Sequence, residues 1–203
     1  MRVILPRTLA TSMLRFTRHA LLAVGLLTLA YCALVVVDTW AFQNEESRDF
    51  DRQLLAQRQA SLQKTKLPLA LLSTKGLLGR IQIPRLGLEA IVIEGTSKTT
   101  LRRAVGHISG TALPGELGNV GISGHRDTFF RPLRNIRQND IITLTTLSGE
   151  FRYRVVSTKI VPPFAIAVLD STQEEILTLV TCYPFYFLGS APDRFIVRAE
   201  RVS

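Results

Sequence analysis

Cysteine is almost absent from this chain: 203 residues contain two. Two thiols close at most one disulfide and cannot supply a four-cysteine zinc site, so a disulfide-stapled scaffold and a four-cysteine zinc module are both excluded. Histidine is nearly as scarce, with only His19, His107 and His125. Acidic residues are also short: 16 Asp and Glu against 25 Lys and Arg leave a net charge of +9. Such a balance can signal nucleic acid, but its distribution argues otherwise. Arg2, Arg7, Arg15 and Arg18 fall within the first 19 residues, with no acid among them. Beyond them 21 basic side chains face 16 acidic ones, and no basic stripe with interleaved aromatics is visible. No nucleic-acid partner is expected. With 46% hydrophobic residues, 13 Gly and 9 Pro, the chain is neither disordered nor collagen-like, and its length suits one well-cored domain with attachments.

Charge is missing altogether from Ala20 to Val37, 18 consecutive positions reading ALLAVGLLTLAYCALVVV. At about 1.5 Å per residue these span roughly 27 Å, close to the thickness of a bilayer core. Arginines precede the run and Asp38 follows it, so residues 1–19 are expected in the cytoplasm, 20–37 in the membrane, and everything after them outside. Trp40 and Phe42 suit an interfacial belt. A cleaved signal peptide is the alternative, but the run is long for one and VVVDTWAF offers a poor small-x-small cleavage site. A lipoprotein box is weaker still, because Tyr31 precedes Cys32 where a small residue belongs. The expectation is a single-pass protein of the cytoplasmic membrane with its C-terminal domain on the extracytoplasmic side.

Residues 38–76 read as stalk and linker. Positions 43–66 lack Gly and Pro, carry four acids and five bases, and show only a partial apolar stripe of Phe50, Leu54 and Leu62. That predicts a polar helix without deep burial. From Leu77 to Ser203 the pattern changes to strands. GRIQIP, LEAIVIEG, GNVGISGH, DIITLTT, EFRYRVVSTKIV, EEILTLVTC and RFIVRAERV are short, rich in Val, Ile, Thr and aromatics, and punctuated by Gly and Pro. Short helices fit near Ser97–Ala104 and Phe129–Ile136. Seven or eight strands suggest one closed or nearly closed β-barrel, with a sandwich as the other solution.

Only Cys182 lies outside the expected membrane run; Cys32 is within it. A free thiol on the oxidising side is either inert in the core, paired between molecules, or reactive. Its setting favours reactivity: ILTLVTC is a hydrophobic strand ending on the loop YPFYFLGSAPD, and strand ends opening onto loops are where scaffolds hold sites. Arg194 opens the next strand, so a hairpin would set it near Cys182, while Arg198 lies on the same face roughly 13 Å further along. A plain solvated charge, paired with Asp193, is the bland reading of Arg194. His125 ends NVGISGH at another strand-to-loop junction, whereas His107 falls in VGHISGTALPGELG, which reads as a longer loop.

Three segments carry a resemblance. TLVTC at 178–182, SGHRDTFFRPL at 123–133 and DRFIVRAE at 193–200 resemble the signature segments of sortases, membrane-anchored cysteine transpeptidases. GHISGTALPGELGNVGISGHRDTFFRPLRNI is most similar to the class D type, and the likeness covers about residues 78–201. It implies a closed eight-stranded β-barrel, with Cys182, His125 and Arg194 as the catalytic residues. It also implies the partners: protein substrates with a C-terminal LPxTG-like sorting signal, cut between Thr and Gly, and an amine acceptor such as a peptidoglycan precursor or a pilin lysine. The apolar stretches IVIEG, TLVTC and YPFYF are candidate walls for the Leu and Pro of that motif. Some sortases use calcium; no carboxylate set stands out here, so no metal and no cofactor are expected.

Competing chemistries fit less well. A serine hydrolase reading would use Ser123, but GISGH lacks the final glycine of G-x-S-x-G. L,D-transpeptidases also combine Cys and His, but typically as Ser-x-Gly-Cys, and here Leu179-Val180-Thr181 precede the thiol. A non-enzymatic envelope domain that binds a partner remains the alternative from a different class.

Overall fold

The structure is a computed structural model describing residues 7–62, 76–187 and 189–202. It divides into two compact units, Met1–Phe42 and Gln43–Ser203. In the first unit, the described residues belong to helix α1 (Arg7–Leu62), whose apolar side chains stand free of protein: Leu21 is 74% and Leu27 71% exposed. The helix is long and apolar enough to cross a membrane.

In the second unit, the end of α1 does what the sparse stripe did not announce. Phe50 is fully buried against Leu77 and Ile91, with Leu54, Ile93 and Leu147 around them. Gln43 accepts from the Ile91 amide and donates to the Arg103 carbonyl, and Arg80 reaches Ser47 and Asp51. The expected unburied helix is therefore corrected. Gln43, Ser47, Phe50 and Leu54 recur at helical spacing, and one large aromatic on that stripe is enough to seat it. The greater part of the linker expected before Leu77 falls on residues 63–75, outside the described residues.

Eight strands close into a barrel in the order β1-β2-β3-β4-β7-β8-β6-β5. They are β1 (Leu77–Ile83), β2 (Leu88–Glu94), β3 (Val105–His107), β4 (Gly118–Ser123), β5 (Ile141–Thr146), β6 (Gly149–Val161), β7 (Glu175–Tyr183) and β8 (Asp193–Val202). The closed barrel, not the sandwich, is the solution. Alternation makes the core: Ile81 and Ile83, Val120 and Ile122, Leu177 and Leu179, Val197 and Ala199 all point inward and are buried. Their odd-numbered or even-numbered neighbours, including Thr178, Cys182, Arg194 and Arg198, therefore face outward. Helix α2 (Lys98–Arg103) starts at the Ser97 cap, whose hydroxyl accepts from the Thr100 amide, as the sequence indicates. The helix expected at Phe129–Ile136 is a 3-10 turn, Arg131–Asn135.

Two pairings are parallel, β2 with β3 and β4 with β7. The second matters for function. β6 ends opposite Arg194, whereas β7 starts opposite Gly118, at the far end of the sheet. Residues 162–174 must therefore cross back over the outer sheet face, including a 3-10 turn at Ile166–Leu169. Asn119 pins this crossover by donating to the carbonyls of Val168 and Asp170, and its own side-chain oxygen accepts from the buried Thr178 hydroxyl at 2.7 Å.

Candidate active site

The β7–β8 hairpin sets Cys182 directly opposite Arg194. On the other side of β7, β4 runs parallel, with Ser123 matched to Val180. The ladder continues past the end of β4: the Gly124 amide donates to the Val180 carbonyl at 3.1 Å, and the buried Thr181 hydroxyl donates to the Gly124 carbonyl at 2.7 Å. That register carries His125 to the level of Cys182. Thiol, imidazole and guanidinium thus come from three adjacent strands at one end of one outer face. Arg198, matched to Thr178, sits four residues further along.

Each side chain is held by its backbone. His125 is exposed, but its carbonyl accepts from the Phe130 amide at 3.1 Å, and the fully buried Phe130 ring anchors the turn. A Cβ at position 124 would stand 2.7 Å from that ring, so only glycine fits beside it. Cys182 is half-buried. Behind it, Tyr183, Phe185 and Phe195 stack, and the latter two pack on the barrel core. Arg194 uses Nη1 to donate to the carbonyls of Asp193 at 2.9 Å and Ala191 at 3.3 Å. Among the described residues it makes no ion pair with Asp193. Its Nη2 and Nε donors have no partner among the described residues, so they remain available to an incoming oxygen.

Sequence reasoning overlooked Arg126, the residue after His125. It is 6% exposed and donates to the carbonyls of Pro184, Phe187 and Gly189 at 2.8, 2.6 and 3.1 Å. It therefore ties the turn bearing His125 to the loop joining Cys182 to Arg194. An arginine beside a glycine-histidine turn was the available signal, but a guanidinium satisfied by three carbonyls of a distant loop has no local signature.

Two expectations need correction. His107 is not on a loop: it closes β3 and is 3% exposed. Its Nδ1 meets the Glu94 carboxylate at 2.7 Å, and its Nε2 lies 3.0 Å from the Ala112 carbonyl. It faces the barrel interior, where it lines a small void with Val120 and Ile122. The strand was missed because three residues ending in GH between a helix and a glycine-rich loop show no alternation. The second correction concerns IVIEG, which lies on β2, separated from β4 by β3. Its Ile91 is spent on Phe50. The wall beside the site is instead the crossover. Ala167 and Val168 on that segment, with Thr178, Ile196, Lys159 and Arg198 on the sheet, enclose a groove of about 240 Å³. Among the described residues no cluster of three or more His, Cys, Asp or Glu is arranged to hold a metal.

Comparison with known proteins decides the family. A family model described as a sortase domain matches residues 81–202. The chain belongs to the sortase family. The matched span contains His125, Cys182 and Arg194. Sortase D of Bacillus subtilis is 39% identical over 127 residues, covering 62% of this chain and 64% of that protein. Sortase A of Listeria monocytogenes is 29% identical over 110 residues, covering 52% and 49%. The chain thus matches less than two thirds of the length of these relatives. Among solved structures, a Clostridium perfringens sortase D5 transpeptidase superposes with a TM-score of 0.62 at 26% identity, covering 80% of this sortase and 97% of that chain.

Proposed function

We propose that this sortase is a membrane-anchored cysteine transpeptidase acting on an LPxTG-like sorting motif. The observation that carries the reading is the direct cross-strand pairing of Cys182 with Arg194, flanked by His125 in the turn just past the end of the neighbouring strand. The Cys182 thiol passes its proton to His125 and the resulting thiolate attacks the threonine carbonyl of the Thr–Gly bond; the C–S bond forms, and the C–N bond breaks as His125 gives that proton to the leaving amine. An incoming amine then attacks the thioester, with His125 taking its proton; the C–N bond forms and Cys182 leaves. Arg194 has donors only, so it cannot orient the imidazole as a carboxylate does. Its free donors suit the oxyanion that develops in both steps. The acceptor is an amine of the envelope, a peptidoglycan precursor or a pilin lysine.

We assign the apolar run of α1 to the cytoplasmic membrane, with the arginine-rich residues before it inside and the barrel outside, by the excess of arginine on one flank. Residues 1–19 and 20–37 serve as cytoplasmic end and anchor, 38–76 as the connection whose residues 43–54 pack on the barrel, and 77–203 as the catalytic domain. The test is Cys182→Ala in the full chain, assayed by release of the C-terminal fragment from a sorting-motif peptide. Cleavage and transfer should vanish while the melting temperature holds; retained turnover overturns the thiol mechanism.

A further inference from the structure

The groove beside the site has an unusual lining. Its floor is apolar, with Ile196 only 4% exposed, and Ala167 and Val168 form one wall. At the end away from Cys182 it carries Arg198, level with Ser157 and Thr178, and a second cation, Lys159, lines the same 240 Å³ space from β6, level with Ile196 and two residues nearer the site. Among the described residues no carboxylate forms an ion pair with either. Asp170 and Glu174 on the crossover and Glu200 on β8 are the nearby acids in sequence and register, and none pairs with them. Two like charges sharing one recess repel each other, so an anion entering between them is favoured.

The chemistry of the reaction says which part of a peptide occupies this recess. The acyl part stays bound through both steps, so it needs the walled groove; the leaving amine must escape. With the threonine carbonyl at Cys182, the motif leucine lies three residues back, roughly 10 Å along an extended chain. The residue before that leucine lies four back, roughly 13 Å. Arg198 stands four residues from Arg194, and Thr178 four from Cys182, on paired strands, which is the same reach. The apolar floor then meets Leu and Pro, Arg198 meets their predecessor, and Lys159, two residues nearer Cys182 on β6, adds its charge to the same recess.

We infer that the groove selects substrates with an acidic residue immediately before the LPxTG-like motif, read by Arg198 and Lys159. This specificity rests on the transpeptidase reading above. The experiment uses the full chain in detergent with three fluorogenic peptides, Glu-Leu-Pro-Ala-Thr-Gly and its Gln and Lys counterparts at the first position. The Glu peptide should have a KM lower than the Gln peptide by roughly two- to fivefold, the range expected of a partly exposed charge pair, and the Lys peptide a higher one. Added salt should narrow the spread. The double variant Arg198→Gln with Lys159→Gln should treat the three alike, and Arg198→Glu should invert their order. Equal kcat/KM for all three with the native chain overturns the inference while leaving the transpeptidase reading intact; so does a preference that survives the double variant. Failure to cleave any of the three overturns the transpeptidase reading itself, and the acidic preference with it.

Discussion

Removing the Arg126 guanidinium should separate stability from catalysis in a way the barrel geometry specifies. Its three bonds, at 2.8, 2.6 and 3.1 Å, reach carbonyls spread over Pro184 to Gly189. A charged donor lost from one carbonyl costs about 1.5–3 kcal/mol, but here water can enter and rehydrate part of the loop, so Arg126→Ala should cost about 2–3 kcal/mol in all. In a unit of this size that lowers Tm by roughly 5–12 °C. The ion pair with the exposed Asp127, at 3.5 Å, adds little. The catalytic effect is larger. Arg126 is the direct tie between the His125 turn and the Cys182–Arg194 loop, and a shift of about 1 Å between reacting groups costs on the order of 100-fold. Well below the variant's Tm, kcat should therefore fall about 100-fold with KM within a factor of a few. Arg126→Lys keeps the charge but reaches at most one or two of the carbonyls, so it should recover much of the Tm and little of the kcat. The assay pairs thermal melts with peptide-cleavage kinetics at a temperature where every variant is folded. Native kcat in Arg126→Ala would refute the clasp, whatever the Tm.

Arg194→Ala should lower kcat about 100-fold or more with a smaller change in KM, in line with loss of an oxyanion donor, and Arg194→Lys should restore part of it. Arg198→Ala should act mainly through KM and be far milder; a larger effect at Arg198 than at Arg194 would show that the substrate carbonyl lies elsewhere. His107→Ala should destabilise the barrel by about 2–4 kcal/mol, because it opens a cavity, orphans the Ala112 carbonyl and leaves Glu94 with only its bond from Ser109, while kcat below its Tm stays near native. His125→Ala should do the reverse, its ring being exposed; thermal melts with single-turnover kinetics distinguish them. Asp140 is 7% exposed and accepts from Arg85 and from the Arg137 amide at 2.7 Å, and the bond from Arg85, first of all, holds its carboxyl below the usual carboxylate range. The unfolded chain therefore takes up that proton first, so this contribution is complete above about pH 4 and fades as the pH falls further. Melts across the acid range should show Asp140→Asn less pH-sensitive than the native chain there; parallel curves would refute it.

The barrel was legible because its strands obey alternation. Ile81, Ile83, Val120, Ile122, Leu177 and Leu179 repeat at period two and are all core. The Cys182–Arg194 juxtaposition was legible for the same reason: two strands joined by a short loop pair as a hairpin, and an eleven-residue interval fixes who faces whom. What escaped depends on partners distant in sequence. β3 is three residues long and its His107 is defined by Glu94, thirteen residues earlier. The burial of Phe50 depends on Leu77 and Ile91, which no local pattern near residue 50 announces. The groove wall is the plainest case. PPFAIAVLD reads as a loop, with Phe164 80% and Ile166 76% exposed, and its placement follows only once β4 and β7 are known to be parallel.

That parallel pair is also why the site can exist on an outer face at all. In a purely antiparallel meander, neighbouring strands join by tight turns and the outer sheet surface stays open to water. Here β4 and β7 run the same way, so their C-terminal ends coincide, bringing Gly124-His125 beside Thr181-Cys182. The β7–β8 hairpin then returns Arg194 to the same level. The same pairing sends the chain from Val161 back to Glu175 across the face it has just built, and Asn119 holds that segment down. One topological choice thus both assembles three side chains at one end and raises a wall beside them. On the transpeptidase reading proposed above, the crossover gives an incoming peptide a wall to lie against beside Cys182, which an open sheet would lack. On that reading the order of strands contributes to specificity alongside the residues lining the groove, and inserting residues into 162–174 should narrow the KM spread among the three peptides before it lowers kcat at Cys182.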